Sequence, residues 1–341
     1  MANLKQAHHE LFRRGPDERY ASLQELWEYC QRSKKQSLDR WHHPHQIAAH
    51  PLAAHLQVEL GSDGAFELND WSFSQLCKLA SVSKDTINRV SADTASRVFA
   101  ETFPEGKKPL QFLTMDQSVR SVHGVAYTRL WDADLVMMIR EFATDFQPPP
   151  AGFNGATGLY AGEQDIFCFL IDPTGWAEID GQAFAPGFFV WNSEVGKRSV
   201  GMSTFWFQAV CQNHIVWDAV EITEFTRKHT ANVHEALTEM RRMIETLVQK
   251  RDERRDGFVK LMRKAMQSTL GEDAEEVEKI LAKNGITRAL AKEAIEIARE
   301  KGRFTIFALV DALTRIAGKA NFAGDRTDAD QKAGSLLALA T

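Results

Sequence analysis

Thiol chemistry has little to work with in this chain: of 341 residues only four are cysteines, Cys30, Cys77, Cys168 and Cys211, and no two form a Cys-x-x-Cys pair. A zinc knuckle or a redox dithiol therefore has no pattern to rest on, and each cysteine reads as a small buried hydrophobe. Long apolar runs are also missing. The richest stretch, Ser199 to Trp217, is interrupted by Gln208, Gln212, Asn213 and His214, whereas a membrane span needs roughly 18 to 20 consecutive apolar residues. The first fifteen residues carry Arg13-Arg14 but no apolar segment after them, so no secretory leader is expected and the expected location is the cytoplasm. Gly-x-x-x-x-Gly-Lys-Ser/Thr, Gly-x-Ser-x-Gly and His-Glu-x-x-His are all absent. P-loop nucleotide hydrolysis, serine hydrolysis and zinc proteolysis thus have no motif behind them.

What the chain does have is an ordinary globular balance, 44% hydrophobic and 26% charged, enough to bury a substantial core. Its formal charge of −5 conceals segregation. Residues 151–224 hold nine acids against Lys197 and Arg198 alone, whereas residues 227–264 hold eleven bases against six acids. A basic segment of that kind serves either as the solvated face of a helix or as a polyanion-binding arm.

Periodicity divides the chain into an N-terminal helical extension (1–65), an α+β core (66–226) and a mainly helical C-terminal region (227–341). The expected fold class is α+β, a mixed core with antiparallel strands. Tyr20, Leu23, Leu26, Trp27 and Cys30 mark a first amphipathic helix. Five histidines follow, His42, His43, His45, His50 and His55, but Pro44 and Pro51 break the stretch and no carboxylate or cysteine joins it, so no metal is expected there. Residues 70–100 repeat Ser and Asp capping signals and predict short packed helices, with a helix-turn-helix as one arrangement they allow. Residues 110–127 predict two strands joined at Met115-Asp116-Gln117, and Asp132 starts a helix that runs to Phe142. Ile166 to Ile171 reads as a buried strand that turns at Asp172-Pro173-Thr174-Gly175 and pairs with Trp176 to Ile179. Gly187 to Trp191 and the stretch from Val200 are further strands. Beyond Thr226, apolar residues at 3, 4 spacing with Gly257 as the only glycine predict one helix of about 35 residues, roughly 50 Å long. Shorter helices are expected near 273–283, 287–301 and 305–317, and Leu336, Leu337 and Leu339 predict a docked tail.

At NSEVGKRSVGMSTFWFQAVCQN the chain resembles a known family. The turn of Asn192, Ser193, Glu194 and Gly196, an apolar stretch, and then Cys211 and Asn213 as Cys-x-Asn look like the hallmark of a phage/plasmid-like family classed as a domain of unknown function. WSFSQLCKLASVSKDTINRV and QSVRSVHGVAYTRLWDADLVMMI upstream are similar to its earlier segments. Downstream, Arg227 and His229 resemble its basic, histidine-containing segment, and FTIFALVDALTRIAG its closing region. The resemblance covers roughly residues 70–340; His214 stands where the family favours glycine. It implies residence on mobile elements and a role near DNA metabolism, including recombination, and it brings no assigned reaction, catalytic residue or cofactor.

Within the loop, Asn192 and Ser193 suit side-chain turns, Gly196 a positive φ, and Glu194 a pairing with Lys197 or Arg198. The same turn displays Lys197, Arg198 and Ser199 to a phosphate. The leading expectation is a non-enzymatic, DNA-associated protein, single-stranded DNA favoured, with contacts from Lys197, Arg198, Ser199, Arg227, Lys228, Arg241 and Arg242, and from Arg251, Arg254 and Arg255 along the arm. One alternative is a Mg²⁺-dependent nuclease using Glu163, Asp165, Asp172, Asp180 and Glu194; another is a homo-oligomer paired through the long helix.

Overall fold

Two sheets meeting along a buried polar seam organise the chain in the computed structural model, which describes residues 11–53, 55–150, 157–209, 213–215, 225–300, 302 and 304–340. The first part runs β1 (Glu18–Arg19), α1 (Leu23–Gln36), β2 (Ser37–His42), β3 (Ile47–Leu52), β4 (His55–Leu60), β5 (Ala65–Leu68), α2 (Asp70–Leu79), α3 (Lys84–Ile87), α4 (Ala92–Thr102), β6 (Leu110–Met115), β7 (Ser118–His123) and α5 (Asp132–Phe142). Strands β2 to β7 make a six-stranded sheet in the order β2-β6-β7-β5-β4-β3, antiparallel except where β5 lies parallel to β7. Its inner face, with Val58, Phe66, Phe112 and Val119, packs on Phe73, Leu76, Ala95 and Phe99 of α2 and α4.

The second sheet has eight strands: β1, β8 (Leu159–Ala161), β9 (Ile166–Ile171), β10 (Ala177–Ile179), β11 (Gln182–Asn192), β12 (Val200–Gln208), β13 (Asn213–Ile215) and β14 (Phe225–Arg227). Strands β9, β11 and β12 read as continuous apolar runs because both of their faces are covered. Cys168, Leu170, Phe188, Val190 and Met202 point to a cluster with α1, α5 and the next helix, α6 (Glu235–Gln249). The alternate positions Phe167, Phe169, Phe189, Trp191 and Phe205 pack on each other across the opposite face, Phe169 stacked on Phe189 and edge-on to Phe205. At one end Phe184 and Trp206 meet Phe258 of α7 (Arg251–Gln267), beneath α8 (Ala274–Lys283), α9 (Arg288–Arg299), α10 (Ile306–Ala317), α11 (Ala323–Gly334) and a terminal 3-10 turn. The fold is α+β, with antiparallel and mixed sheets and a helical C-terminal region.

Four expectations give way. Residues 37–60, assigned to a helical extension, supply strands β2, β3 and β4, because the apolar residues of β4 alternate, Leu56, Val58 and Leu60 facing the helices. The histidines there serve local structure: His42 meets Asp63, His50 meets Glu59, and His55 meets the Leu11 carbonyl. Strand β9 does not pair with β10; its neighbours are β8 and β11, and β10 instead hairpins onto β11 through Asp180 and Gly181 at positive φ. The 35-residue helix is two, broken at Lys250 where ψ opens to 16° and the chain turns from the first core into the second. Finally, α3 has four residues, too short for the recognition helix of a helix-turn-helix.

Candidate functional site

The loop between β11 and β12 begins where Asn192 leaves the sheet. Ser193 closes the turn: its hydroxyl donates to the Gln164 carbonyl at 2.5 Å and accepts from the Lys197 amide at 2.7 Å, while the Gly196 amide donates to the Ser193 carbonyl at 2.9 Å. Gly196 has φ +76, and a Cβ there would lie 2.5 Å from the His123 ring, so glycine is required twice over. The turn carries two kinds of residue, one facing inward and one outward.

Inward, Asn192, Ser193 and Glu194 are buried and sew the two sheets together. Asn192 donates through Nδ2 to the Leu130 carbonyl at 2.8 Å and to Asp132 Oδ1 at 2.7 Å. Glu194 accepts from Arg120 Nη1 at 2.5 Å and from the Asp132 amide, in the first turn of α5, at 3.1 Å. Its carbonyl accepts from the Tyr127 hydroxyl at 2.9 Å and from Arg129, whose other end pairs with Asp39. Burial, and then the neighbouring Glu194 carboxylate, raise the Asp132 carboxyl well above its usual range, while Glu194 forms the buried ion pair with Arg120. Beside this cluster His123 and Tyr127 stack at 3.6 Å and 5°, and Tyr127 and His229 at 5.3 Å. Burial first, then the Arg129 cation, lowers His123 to about 3, and burial lowers His229 to about 4.

Outward, the expected phosphate contacts separate. Lys197 is exposed, with its ammonium 5.0 Å over the Trp71 ring. Arg198 is committed within the protein: Nε donates to Asp165 at 3.0 Å, and the fork grips Asp328 of α11 at 3.0 and 3.1 Å. A Cβ on Gly324 would lie 2.5 Å from that guanidinium, so Arg198 is a clamp seating α11 on the sheet. Ser199 lies half-buried in a cavity of about 240 Å³ with Arg198 and Trp191. Arg227 pairs with Glu235 and Glu239, Lys228 and Arg242 are exposed, and Arg241 stacks on Phe142 at 4.2 Å. Arg251 pairs with Asp172, Arg255 with Asp252, and Arg254 is buried, whereas Lys260, Arg263 and Lys264 are exposed, so the basic segment is partly spent on the protein's own contacts and partly solvated. Cys211 lies outside the described residues; Asn213 pairs in register with Gln208.

The acids of the nuclease alternative are scattered. Asp165 lies between Arg14 and Arg198, Asp172 holds Thr174 and Arg251, Glu163 accepts from the Trp71 amide, and Asp180 sits in the β10–β11 turn. Among the described residues no three His, Cys, Asp or Glu side chains group as metal donors, and no helix is long and apolar enough to cross a membrane.

Sequence reasoning missed a groove of about 1130 Å³ beside this loop. Its walls come from residues 12–16 and Arg19, from Asp70, Lys84, Asp85 and Asn88, and from the 318–322 turn. Five cations line it, Arg13, Arg14, Arg19, Lys84 and Lys319, against Asp70 and Asp85. Arg14 lies over Phe322, 3.8 Å from the ring centroid, and shares Asp165 with Arg198, which ties the groove to the loop. Lys84 pairs with Asp70, next to the Trp71 that carries Lys197. Arg13 has no ion-pair partner among the described residues. The only sequence trace was the Arg13-Arg14 pair; nothing linked it to Lys319, about 300 residues away.

Residues 138–329, 192 of 341, fit the family described as Domain of unknown function (DUF932). The matched stretch begins inside α5 and takes in the Asn192–Gly196 turn, and it is shorter than the 70–340 suggested by the resemblance. No curated protein and no solved structure matches the chain.

Proposed function

Given that the chain belongs to the DUF932 family, whose description carries no activity, we propose that it is a non-enzymatic nucleic-acid-associated protein that holds single-stranded DNA, in the phage or plasmid setting its motif resemblance implies. One observation carries this reading: the groove of Arg13, Arg14, Arg19, Lys84 and Lys319, with Phe322 in its wall. Single-strand binding needs a cationic track for the backbone and aromatic surfaces beside it. Lys197 on Trp71 extends the track past α2. Arg14 is held by the largely buried Asp17 and Asp165, and Lys84 by Asp70, so the strand contacts fall chiefly to Arg13, Arg19 and Lys319. Lys319 and Glu293 are both largely exposed, such pairs are worth little in water, and a phosphate readily replaces the carboxylate. Arg198, held by two aspartates, serves the groove from behind by anchoring α11.

The test is fluorescence anisotropy with a labelled 20-nucleotide strand at low and rising salt. Three to five phosphate contacts give a slope of log affinity against log salt of roughly −2 to −3.5. Reversing charge at Arg13, Arg19 and Lys319 together is expected to weaken binding at least tenfold, about 1.4 kcal/mol, while Arg241→Glu with Arg242→Glu leaves it near wild type. Binding that survives the triple reversal, or no salt-sensitive binding below about 10 μM at low salt, overturns the proposal. Plasmid and single-stranded DNA that remain uncut with and without Mg²⁺ separate this reading from the nuclease alternative.

A further inference from the structure

A second cavity, of about 420 Å³, opens where α1 crosses the seam between the sheets, and it shares Gly15 and Pro16 with the cationic groove. Its size falls in the range of small-molecule sites. One face of α1 lines it, Tyr29, Arg32, Ser33 and Gln36 recurring at helical spacing. The floor is Arg120 on β7, with only 9% of its surface exposed. Burying a guanidinium is costly unless its charge is balanced and its donors are used. Glu194 supplies the balance, but the contacts with Glu194, Ser33 and Ser37 all fall on Nη1. Nε and Nη2 have no partner among the described residues, although a guanidinium offers five N–H donors in a fixed fork. Arg32, exposed on the next wall, has no carboxylate partner among the described residues either. Across the cavity stand two acceptors, Glu18 and Glu163.

We propose that this cavity binds a nucleoside phosphomonoester, with the phosphate between Arg120 and Arg32 and the nucleoside hydroxyl and N–H donors turned toward Glu18 and Glu163. Two guanidinium groups suit a phosphate, which accepts from both forks at once, better than a carboxylate, which one fork saturates. A mononucleotide also fills the volume where inorganic phosphate or an amino acid would not. The same chemistry has two sources: a free mononucleotide, or the phosphorylated end of a strand leaving the groove across Gly15 and Pro16. The first source is independent of strand binding; the second rests on that reading.

Isothermal titration of the full chain with thymidine 5′-monophosphate, thymidine and inorganic phosphate tests the site. The monophosphate is expected to bind with a Kd below about 1 mM and both fragments at least tenfold more weakly. Arg32→Ala, an exposed position on α1, is expected to weaken the monophosphate at least tenfold, and Ser118→Trp, which fills the cavity from β7, to abolish it. Far-ultraviolet circular dichroism checks that each variant is folded, and Arg32→Ala alone decides if Ser118→Trp is not. No heat with the monophosphate, phosphate bound as tightly as the monophosphate, or an Arg32→Ala protein that binds like wild type overturns the site. Comparing short oligothymidylates with a 5′-phosphate and a 5′-hydroxyl then assigns the source. A phosphate-dependent gain of tenfold or more identifies a strand end, and equal binding of the two with retained mononucleotide binding identifies the free ligand; groove variants that lose strand binding leave the monophosphate titration unchanged.

Discussion

Acid should loosen this fold through two imidazoles, and the size of the effect follows from where they sit. His123 and His229 flank Tyr127 in a buried stack, and burial together with Arg129 holds them neutral, at about 3 and about 4. In the unfolded chain each titrates near 6.5. Unfolding therefore takes up protons between these values, so the stability gained by keeping both rings neutral is complete above about pH 6.5 and is lost as the pH falls. Between about pH 7.5 and 5.5 each histidine gives up roughly 1.4 kcal/mol and the pair about 2.7 kcal/mol. Asp132 and Asp330 work in the opposite sense. Burial raises both carboxyls, Asp330 to about 8, so their folded forms hold a proton that unfolding releases, and their penalty eases as the pH falls. The clean measurement is therefore a difference between proteins. Urea unfolding of wild type and of His123→Phe/His229→Phe, followed from about pH 7.5 to 5.5, isolates the imidazoles, because any pH-independent cost of the substitutions cancels. The gap in unfolding free energy is expected to shift by about 2.7 kcal/mol in favour of the variant at the acid end. A gap that stays constant within about 0.5 kcal/mol would mean that the rings are not held neutral by burial, and would refute the reasoning.

Two further predictions address the seam and the central sheet. Glu194→Gln leaves Arg120 buried without its counter-ion, so urea unfolding should register a loss of about 3 to 5 kcal/mol; a loss under about 1 kcal/mol would show that the pair is not what joins the sheets. Gly187→Ala places a Cβ 2.3 Å from the Leu170 carbonyl and 2.9 Å from the Phe205 ring, so β11 has to part from β9, and thermal denaturation should show destabilisation of at least about 2 kcal/mol, whereas an unchanged midpoint would deny the close approach of the two strands.

The parts of the fold that were legible in the sequence are those set by neighbours in the chain. The turn at Met115-Asp116-Gln117 joins β6 and β7, with Asp116 taking the positive φ such a turn needs, and Asp132 opens α5. Asn284-Gly285 divides α8 from α9, and Leu336 and Leu337 dock the tail. Partnerships across the chain were not legible. Strand β9 lies next to a turn that would suit a hairpin, yet its six apolar residues are better buried between β8 and β11, a comparison that no local pattern contains. The break at Lys250 has no proline or glycine to announce it; α6 and α7 bend there because they serve different cores. Within the loop, both fates were visible as residue types, but that Glu194 goes to Arg120 rather than to Lys197, and that Arg198 goes to Asp165 and Asp328, depended on groups 33 to 130 positions away.

By itself the amino-acid order determined the α+β class, most of the helices and strands from Leu110 onward, and the turn at Asn192–Gly196, because periodicity, capping and glycine act over a few residues. Only the tertiary structure decided which charges pair with one another and which are brought together. An arginine's reach to a carboxylate depends on distances that the packing of two sheets creates. Arg198 and Arg227 were thereby drawn into the protein's own ion pairs, and Arg13, Arg19, Lys84 and Lys319 were gathered from distant segments along one groove.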